Sequence, residues 1–335
     1  MKIAIIGAGA IGGYVGAKLA LAGEDVTFLV RGANLQAIRE HGMRLLAHDG
    51  SEQVARKVRA TDDYGQAGPQ DLVILATKAH QVADVARELP KLWGPDTAVV
   101  TMQNGIPFWY FQKTGCALEG STVHSVDGDG ELLRRLPAER IIGCVVYPAS
   151  ELVAPGVVRH IEGDRFPLGE LDGCITERVT RISECFTRAG FKAPVLEDIR
   201  SEIWLKLWGN LTFNPISGLT HATLADICQY QLSRGLAADM MREAQAVAHK
   251  LGIAFRVPLD KRIAGAEKVG RHKTSMLQDI EAGRAPEIDA LVGSVAELAR
   301  LTDTPTPHID TVYALVKLLA KNMESERGRV RMQPA

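Results

Sequence analysis

The chain has 335 residues, 46% of them hydrophobic and 24% charged, with a formal net charge of −1. That length and balance suit two domains, each with ample core. The even charge excludes a strongly basic nucleic-acid footprint or an acidic-surface binder. Five scattered cysteines (Cys116, Cys144, Cys174, Cys185, Cys228), odd in number and without a C-x-x-C pair, point to reduced thiols in the cytoplasm rather than a disulfide framework. No Cys/His spacing suggests a metal site, and no apolar run is long enough to span a bilayer.

The chain opens with KIAIIG, read as a buried strand. The first 23 residues combine a lysine, an apolar run and small residues in the manner of a signal peptide, but their glycines and the strand-like segment that follows argue against secretion. A helix is predicted over Ala10 to Ala22, then strands over Asp25 to Val30 and Asp71 to Thr77. A helix over Gln81 to Leu92 and a fourth strand over Ala98 to Gly105 follow. Strands alternating with helices imply a parallel, doubly wound sheet. From Phe108 to about Gly173 the chain is rich in Gly and Pro, with strands expected at Ile141 to Ala149, Val157 to Gly163 and Arg165 to Leu171. The stretch Gly115 to Leu136 reads as a loop longer than ordinary connections, and such loops are often functional. From Thr176 the pattern turns helical. One amphipathic helix ends at Gly190, and a second, from Leu196, is expected to stop at Pro215. Further helices run to about Met323, with breaks near Gly252, Pro258 and Pro305. The division expected is a sheet domain over 1–192 with an insertion at about 108–136, an all-helical domain over 193–325, and a tail at 326–335.

Strand KIAII runs into G-A-G-A-I-G and then a helix. Gly7 permits the tight turn, Gly9 lets backbone approach a pyrophosphate, and Gly12 allows close helix–strand packing. The helix N-terminus adds donors and positive potential. In this strand–turn–helix context the six residues Gly7, Ala8, Gly9, Ala10, Ile11 and Gly12 read as a dinucleotide-binding turn, and the domain as Rossmann-type. Where an acidic residue would accept the ribose hydroxyl of NAD, the second strand ends in Val30-Arg31-Gly32. A guanidinium there clamps a 2′-phosphate, which favours NADPH/NADP+; the bland alternative is a solvated surface charge. Lys78, after the third strand, adds a second positive charge on the ligand-facing edge. Asn104 closes the fourth strand, where its amide either meets the cofactor or a carbonyl compound or simply makes an Asn-Gly turn. Ala149, at the end of a further strand, leaves room for a ring.

The stretch EIWLKLWGNLTFN (202–214) is apolar enough to be buried, yet it carries Lys206, Asn210 and Asn214 at four-residue spacing. At about 100° per residue the three fall within about 80° of one another. Burying an ammonium without partners is costly, so the row is expected to line a cavity, with snorkelling and helix capping as the alternative. Lys206 is the candidate proton donor to a carbonyl oxygen that accepts a hydride, and the two asparagines orient a small polar substrate. Downstream, Ser275 either donates to a substrate carboxylate or caps the helix that follows. Glu287 is a candidate acceptor for a hydroxyl on the substrate or on the cofactor's ribose.

Taken together, GAGAIG, Arg31, ATKAHQ, QNG, the K-x-x-x-N-x-x-x-N-P helix and SMLQDIEAGRAPEID resemble the ketopantoate reductase family, over most of the chain and in the correct order. The resemblance implies a Rossmann domain followed by a helical domain, with the active site in the cleft between them. It implies NADPH-dependent reduction of a 2-oxo acid, ketopantoate (2-dehydropantoate) in the type members, within pantothenate biosynthesis. It also implies Lys206 as proton donor, with Asn210, Asn214 and Ser275 on the substrate. Gly7 to Gly12, Arg31, Lys78, Asn104, Ala149 and Glu287 would serve the cofactor. Two departures concern the substrate: residues 215–226 lack the family's further asparagine, and the 108–136 segment is enlarged. Alternatives kept open are a paralogue acting on another 2-oxo acid, a β-hydroxyacid dehydrogenase, and a non-catalytic NADP-binding sensor. Expected partners are a small 2-oxo acid, no nucleic acid and no membrane. Apolar helices such as Ile309 to Ala320 cover either the core or a second copy in a homodimer.

Overall fold

The computed structural model describes residues 1–47 and 49–332. Of the expected tail, residues 333–335 lie outside the described residues. The chain forms two compact units: Met1–Gln103 with Phe111–Thr122 and Asp129–Ile199, and Asn104–Tyr110 with Val123–Gly128 and Arg200 onward.

In chain order the first unit contains β1 (Lys2–Ile6), α1 (Ala10–Leu21), β2 (Asp25–Leu29), α2 (Gly32–His41), β3 (Met43–Leu46), β4 (Glu52–Ala55), β5 (Val58–Thr61), α3 (Tyr64–Ala67) and β6 (Gln70–Leu75). It continues with α4 (Val82–Ala86), β7 (Trp93–Thr101), α5 (Glu131–Arg135), β8 (Ile141–Cys144), β9 (Ala149–Ala154), β10 (Val157–Glu162), β11 (Leu168–Glu170) and α6 (Glu177–Arg188). The main sheet has the order β11-β8-β7-β6-β1-β2-β5. Its pairings are parallel except β11 with β8. The central strands are apolar on both faces, as buried parallel strands require: Ile3, Ile5, Leu72 and Ile74 are fully buried. A second sheet, β4-β3-β10-β9, completes the unit.

Helix α1 is held between the two sheets, and its glycines make this possible. A methyl group at position 16 would lie 2.4 Å from the Phe28 ring, and one at position 13 would lie 2.6 Å from Val158. Glycine inside a helix costs about 1 kcal/mol. Here that loss is offset by packing on both faces, which fixes the start of the helix beneath the Gly7–Gly12 turn.

Several boundaries differ from the sequence reading. The expected helix over 81–92 is instead a 3₁₀ turn, the short α4 and a second 3₁₀ turn at Leu89–Leu92. Pro90 lacks the N–H that would continue the α ladder. The fourth strand runs Trp93–Thr101 and stops before Asn104. The expected strand 141–149 ends at Cys144, and after residues 145–148 Ala149 begins β9 of the second sheet rather than ending a strand of the first. The stretch Gly115 to Leu136, read as a loop, contains α5, and Phe108, Trp109, Tyr110 and Phe111, at the start of the enlarged 108–136 segment, are buried.

The second unit is helical: α7 (Ile199–Thr220), α8 (Leu224–Gln229), α9 (Gln231–Lys250), α10 (Leu259–Lys268), α11 (Ser275–Glu281), α12 (Ser294–Leu301) and α13 (Pro307–Ser325). Helix α7 is its core, with Trp204, Trp208 and Leu211 fully buried. Both indoles keep a partner: Trp204 donates to the Tyr110 hydroxyl (2.7 Å) and Trp208 to the Met241 carbonyl (2.8 Å). Pro215 does not stop α7, contrary to expectation. Interior proline costs about 3 kcal/mol, and the burial of Phe213, Ile216 and Ser217 around it outweighs that penalty. No helix among the described residues is long and apolar enough to cross a membrane.

Candidate functional site

In the first unit the glycine turn has the steric form a dinucleotide needs. Gly7 adopts φ +92°, open to glycine but strained for other residues. A methyl at position 12 would lie 1.9 Å from the Gly7 carbonyl oxygen, so α1 meets the turn at the closest approach backbone allows. At position 9 a methyl would meet nothing within 4 Å. Backbone is therefore open to a ligand at Gly9, which is also the N-cap of α1 and provides no side-chain cap. The first turn of α1 contains no acidic residue. Its free N–H donors and the helix dipole fit an anionic pyrophosphate.

Arg31 is exposed and immediately precedes α2. Its charge reaches Tyr64, whose phenol burial pushes up to about 12, with Glu88 adding to the rise and Arg31 opposing it. Lys78 is half-buried and opens the 3₁₀ turn after β6, where its backbone N–H donates to Gln81 Oε1 (3.3 Å). Ala149 is half-buried at the start of β9.

Three residues of this unit were not singled out from the sequence, although Thr77 and Gln103 lie within the ATKAHQ and QNG motifs. Asn34 donates to the Ala8 carbonyl (3.3 Å) and accepts from the Gly156 N–H (2.9 Å), tying the glycine turn to the second sheet. Gln103 donates to the carbonyls of Leu75 (3.0 Å) and Thr77 (2.9 Å) and fixes the chain after β6. The Thr77 hydroxyl is buried without a hydrogen-bond partner, beside Gly7. Unsatisfied buried hydroxyls are uncommon, which marks Thr77 as a place for a ligand group.

In the second unit the structure brings together three candidates that are distant in sequence. Lys206 Nζ donates to Asn104 Oδ1 (2.6 Å), and Asn104 Nδ2 donates to Glu287 Oε2 (3.3 Å). One amide thus holds an ammonium at its oxygen and a carboxylate at its nitrogen. The sequence left Asn104 and Glu287 open between cofactor and substrate, and the family resemblance implied the cofactor; here both stand beside Lys206. The chain around Asn104 is fixed tightly. Gly105 has φ +89°, a methyl there would lie 1.9 Å from the Ala290 carbonyl oxygen, and Ile106 N–H donates to that same oxygen (3.0 Å).

Asn210 is half-buried and Asn214 is buried at 5% exposure, one and two turns beyond Lys206 on α7. Ser275 is the exposed first residue of α11, but the cap of that helix is Thr274, which accepts from Leu277 N–H. The capping alternative for Ser275 is therefore corrected, and its hydroxyl is not spent on the helix. A methyl at Gly218 would lie 2.8 Å from Ile280 and 3.5 Å from Met276, so α11 packs on the far end of α7.

Comparison with known proteins identifies one family across most of the chain. The family description "Ketopantoate reductase PanE/ApbA" matches residues 3–173, and "Ketopantoate reductase PanE/ApbA C terminal" matches residues 198–320. The chain is 54% identical to 2-dehydropantoate 2-reductase of Mesorhizobium japonicum over 96% of this chain and 98% of that protein. Identity to the enzyme of the same description from Pyrococcus horikoshii is 31%, covering 95% and 97%. Among solved structures, 2-dehydropantoate 2-reductase from Methylococcus capsulatus superposes with a TM-score of 0.82 at 28% identity, covering 96% of this chain and 98% of that one.

Proposed function

The chain belongs to the ketopantoate reductase family, and on that premise we propose that it reduces 2-dehydropantoate to pantoate with NADPH, as a step of pantothenate formation. The observation that carries the reading is the Lys206–Asn104–Glu287 array, which holds a proton donor in a fixed orientation. NADPH, when bound, supplies the hydride. Lys206 gives a proton to the oxygen of the substrate carbonyl as it becomes an alkoxide. Asn104 accepts one ammonium hydrogen and so directs the others. Asn210 and Asn214 orient the substrate along α7, Ser275 donates to its carboxylate, and Glu287 accepts from a hydroxyl. In the nucleotide unit the Gly7–Gly12 turn receives the pyrophosphate, Arg31 and Lys78 meet its remaining negative charge, and Ala149 leaves space for a ring.

The direct test is to add NADPH and a panel of 2-oxo acids to the purified protein and follow loss of reduced-nicotinamide absorbance. Turnover confined to 2-dehydropantoate is the expected result. Turnover confined to another 2-oxo acid would keep the chemistry and move the substrate, the reading favoured by the absence of an asparagine in residues 215–226. NADPH binding without turnover would favour a 3-hydroxy acid substrate or a sensor.

Cofactor choice has its own test. Arg31→Asp is expected to weaken NADPH by at least about tenfold, because hydrogen bonds to a charged group are worth about 1.5–3 kcal/mol, and to leave NADH little changed. Equal losses for both cofactors, measured by titration, would remove the 2′-phosphate assignment. The described cysteines are all free, and Cys116 and Cys174 are exposed, which supports a reducing, cytoplasmic setting. A homodimer is proposed on the exposed Leu315 and Leu318 of α13; sedimentation at a single mass of one chain would refute it.

A further inference from the structure

We infer that a wide helical turn at Asp289–Gly293, clamped by Tyr313, is the positioning device that sets Asn104 for the proton transfer. The inference rests on the proposed role of the Lys206–Asn104–Glu287 array, but its observations are separate. Between Glu287 and α12 the chain forms one turn of π-helix, Asp289–Gly293. Such turns are rare and concentrate at functional sites. Their cost is a disturbed ladder. Ser294 N–H, which in an α-helix would serve the Ala290 carbonyl, donates instead to the Asp289 carbonyl.

The Ala290 carbonyl is thereby released from the helix, and it is fully buried at 3% residue exposure. A buried carbonyl must find donors. It finds two: the Ser294 hydroxyl (2.7 Å) and the N–H of Ile106 (3.0 Å). The second bond ties the turn to the chain two residues after Asn104. With Gly105 pressed against the same carbonyl, Asn104 has little freedom to drift from Glu287 and Lys206. An ordinary α turn would use the Ala290 oxygen internally and offer the 104–106 segment nothing to hold.

The turn in its own right is clamped from α13. The Tyr313 hydroxyl donates to Asp289 Oδ1 (2.7 Å), and Lys317 Nζ donates to Asp289 Oδ2 (2.9 Å). The lysine pair is about half exposed and contributes little on its own. The tyrosine is the stronger element. Its ring lies on Gly293, where a methyl would come within 2.8 Å of the hydroxyl. Burial first, and then the bond to Asp289, push the phenol well above its ordinary value, so it remains a donor at any pH the enzyme meets. Tyr313 and Asp289 do not touch the reacting groups; they act through the Ala290 carbonyl and Asn104.

The test uses the full chain in three variants. Tyr313→Phe removes the hydroxyl and keeps the ring. Gly293→Ala displaces the ring, and Asp289→Asn keeps an acceptor oxygen for the tyrosine. Amide hydrogen exchange is read on the segment Asn104–Tyr110, alongside kcat and KM. The expected result for Tyr313→Phe and Gly293→Ala is faster exchange in that segment and a kcat lowered by about 10- to 100-fold, the range for a misplaced catalytic group, with KM for NADPH within about twofold. Asp289→Asn is expected to retain most of the turnover. A purely structural role would lower the melting temperature while leaving kcat and the exchange of Asn104–Tyr110 at wild-type values, and that result overturns the inference. So does faster exchange without loss of kcat in an active enzyme. If the unaltered protein reduces no 2-oxo acid, the reaction assignment falls by itself. The exchange of Asn104–Tyr110 then decides the inference alone, an increase supporting the positioning contact and no change refuting it.

Discussion

Lys206→Ala is expected to lower kcat for 2-oxo acid reduction by about 10²–10⁴-fold, the range for a lost general acid. The substitution removes the nitrogen that donates to Asn104 Oδ1 and leaves the Asn104–Glu287 contact in place. The fold should survive. Lys206 is only half-buried, while Trp204, Leu207 and Trp208 carry the apolar burial of that stretch of α7. NADPH affinity should hardly change, because the glycine turn and Arg31 belong to the other unit. Lys206→Arg sharpens the test. It keeps a positive charge, but a guanidinium hardly gives up its proton near neutral pH, so turnover should stay low. Full activity in the arginine variant would mean that the charge matters and the proton does not. Full activity in the alanine variant would remove Lys206 from the chemistry altogether.

The parts legible in the sequence were those where one residue type has few uses. The glycine turn could be read because positive φ and close helix packing each exclude side chains, and the structure shows the first at Gly7 and the second at Gly12. The Lys206–Asn210–Asn214 row could be read because α7 is long and its apolar residues set the phase. What could not be read was pairing across distance. Nothing in the chain announces that Asn104 bridges Lys206 and Glu287, since the bridge joins residues 102 and 183 positions apart.

The second sheet was equally hidden. Strands β3 and β4 have four residues each, and most of their side chains are partly or fully exposed, so their alternation carries little weight against ordinary surface sequence. Pro215 misled in the opposite sense. Local propensity says stop, and burial of the residues around it says continue. Tertiary packing prevailed, as it does when several side chains gain more than one proline loses. The π-turn follows the same logic, since its sequence DALVG has no distinguishing composition. Only the hydrogen bonds of Ala290 show what the wide turn is for.

The remaining large effect separates a glycine needed for the fold from one needed for the ligand. Gly12→Ala places a methyl 1.9 Å from the Gly7 carbonyl oxygen and 2.9 Å from the Ala76 side chain. Neither backbone can retreat, because Gly7 N–H is bonded to the Leu29 carbonyl (3.1 Å) and Ala76 N–H to the Ile6 carbonyl (3.0 Å). Overpacking of this kind costs about 3 kcal/mol or more, so the variant should be poorly folded, with a sharply lower melting temperature. Gly9→Ala is the informative partner. Its methyl meets nothing, and its φ of −75° suits any residue, so the melting temperature should barely move. The added methyl nevertheless stands where backbone is to approach a pyrophosphate. Losing hydrogen bonds to that charged group, at about 1.5–3 kcal/mol each, should weaken NADPH by at least about tenfold. Melting curves and NADPH titrations on the pair decide the matter. If Gly9→Ala binds NADPH as the unaltered protein does, the open space at Gly9 is not the phosphate site, and the nucleotide assignment must then rest on Arg31 and Lys78.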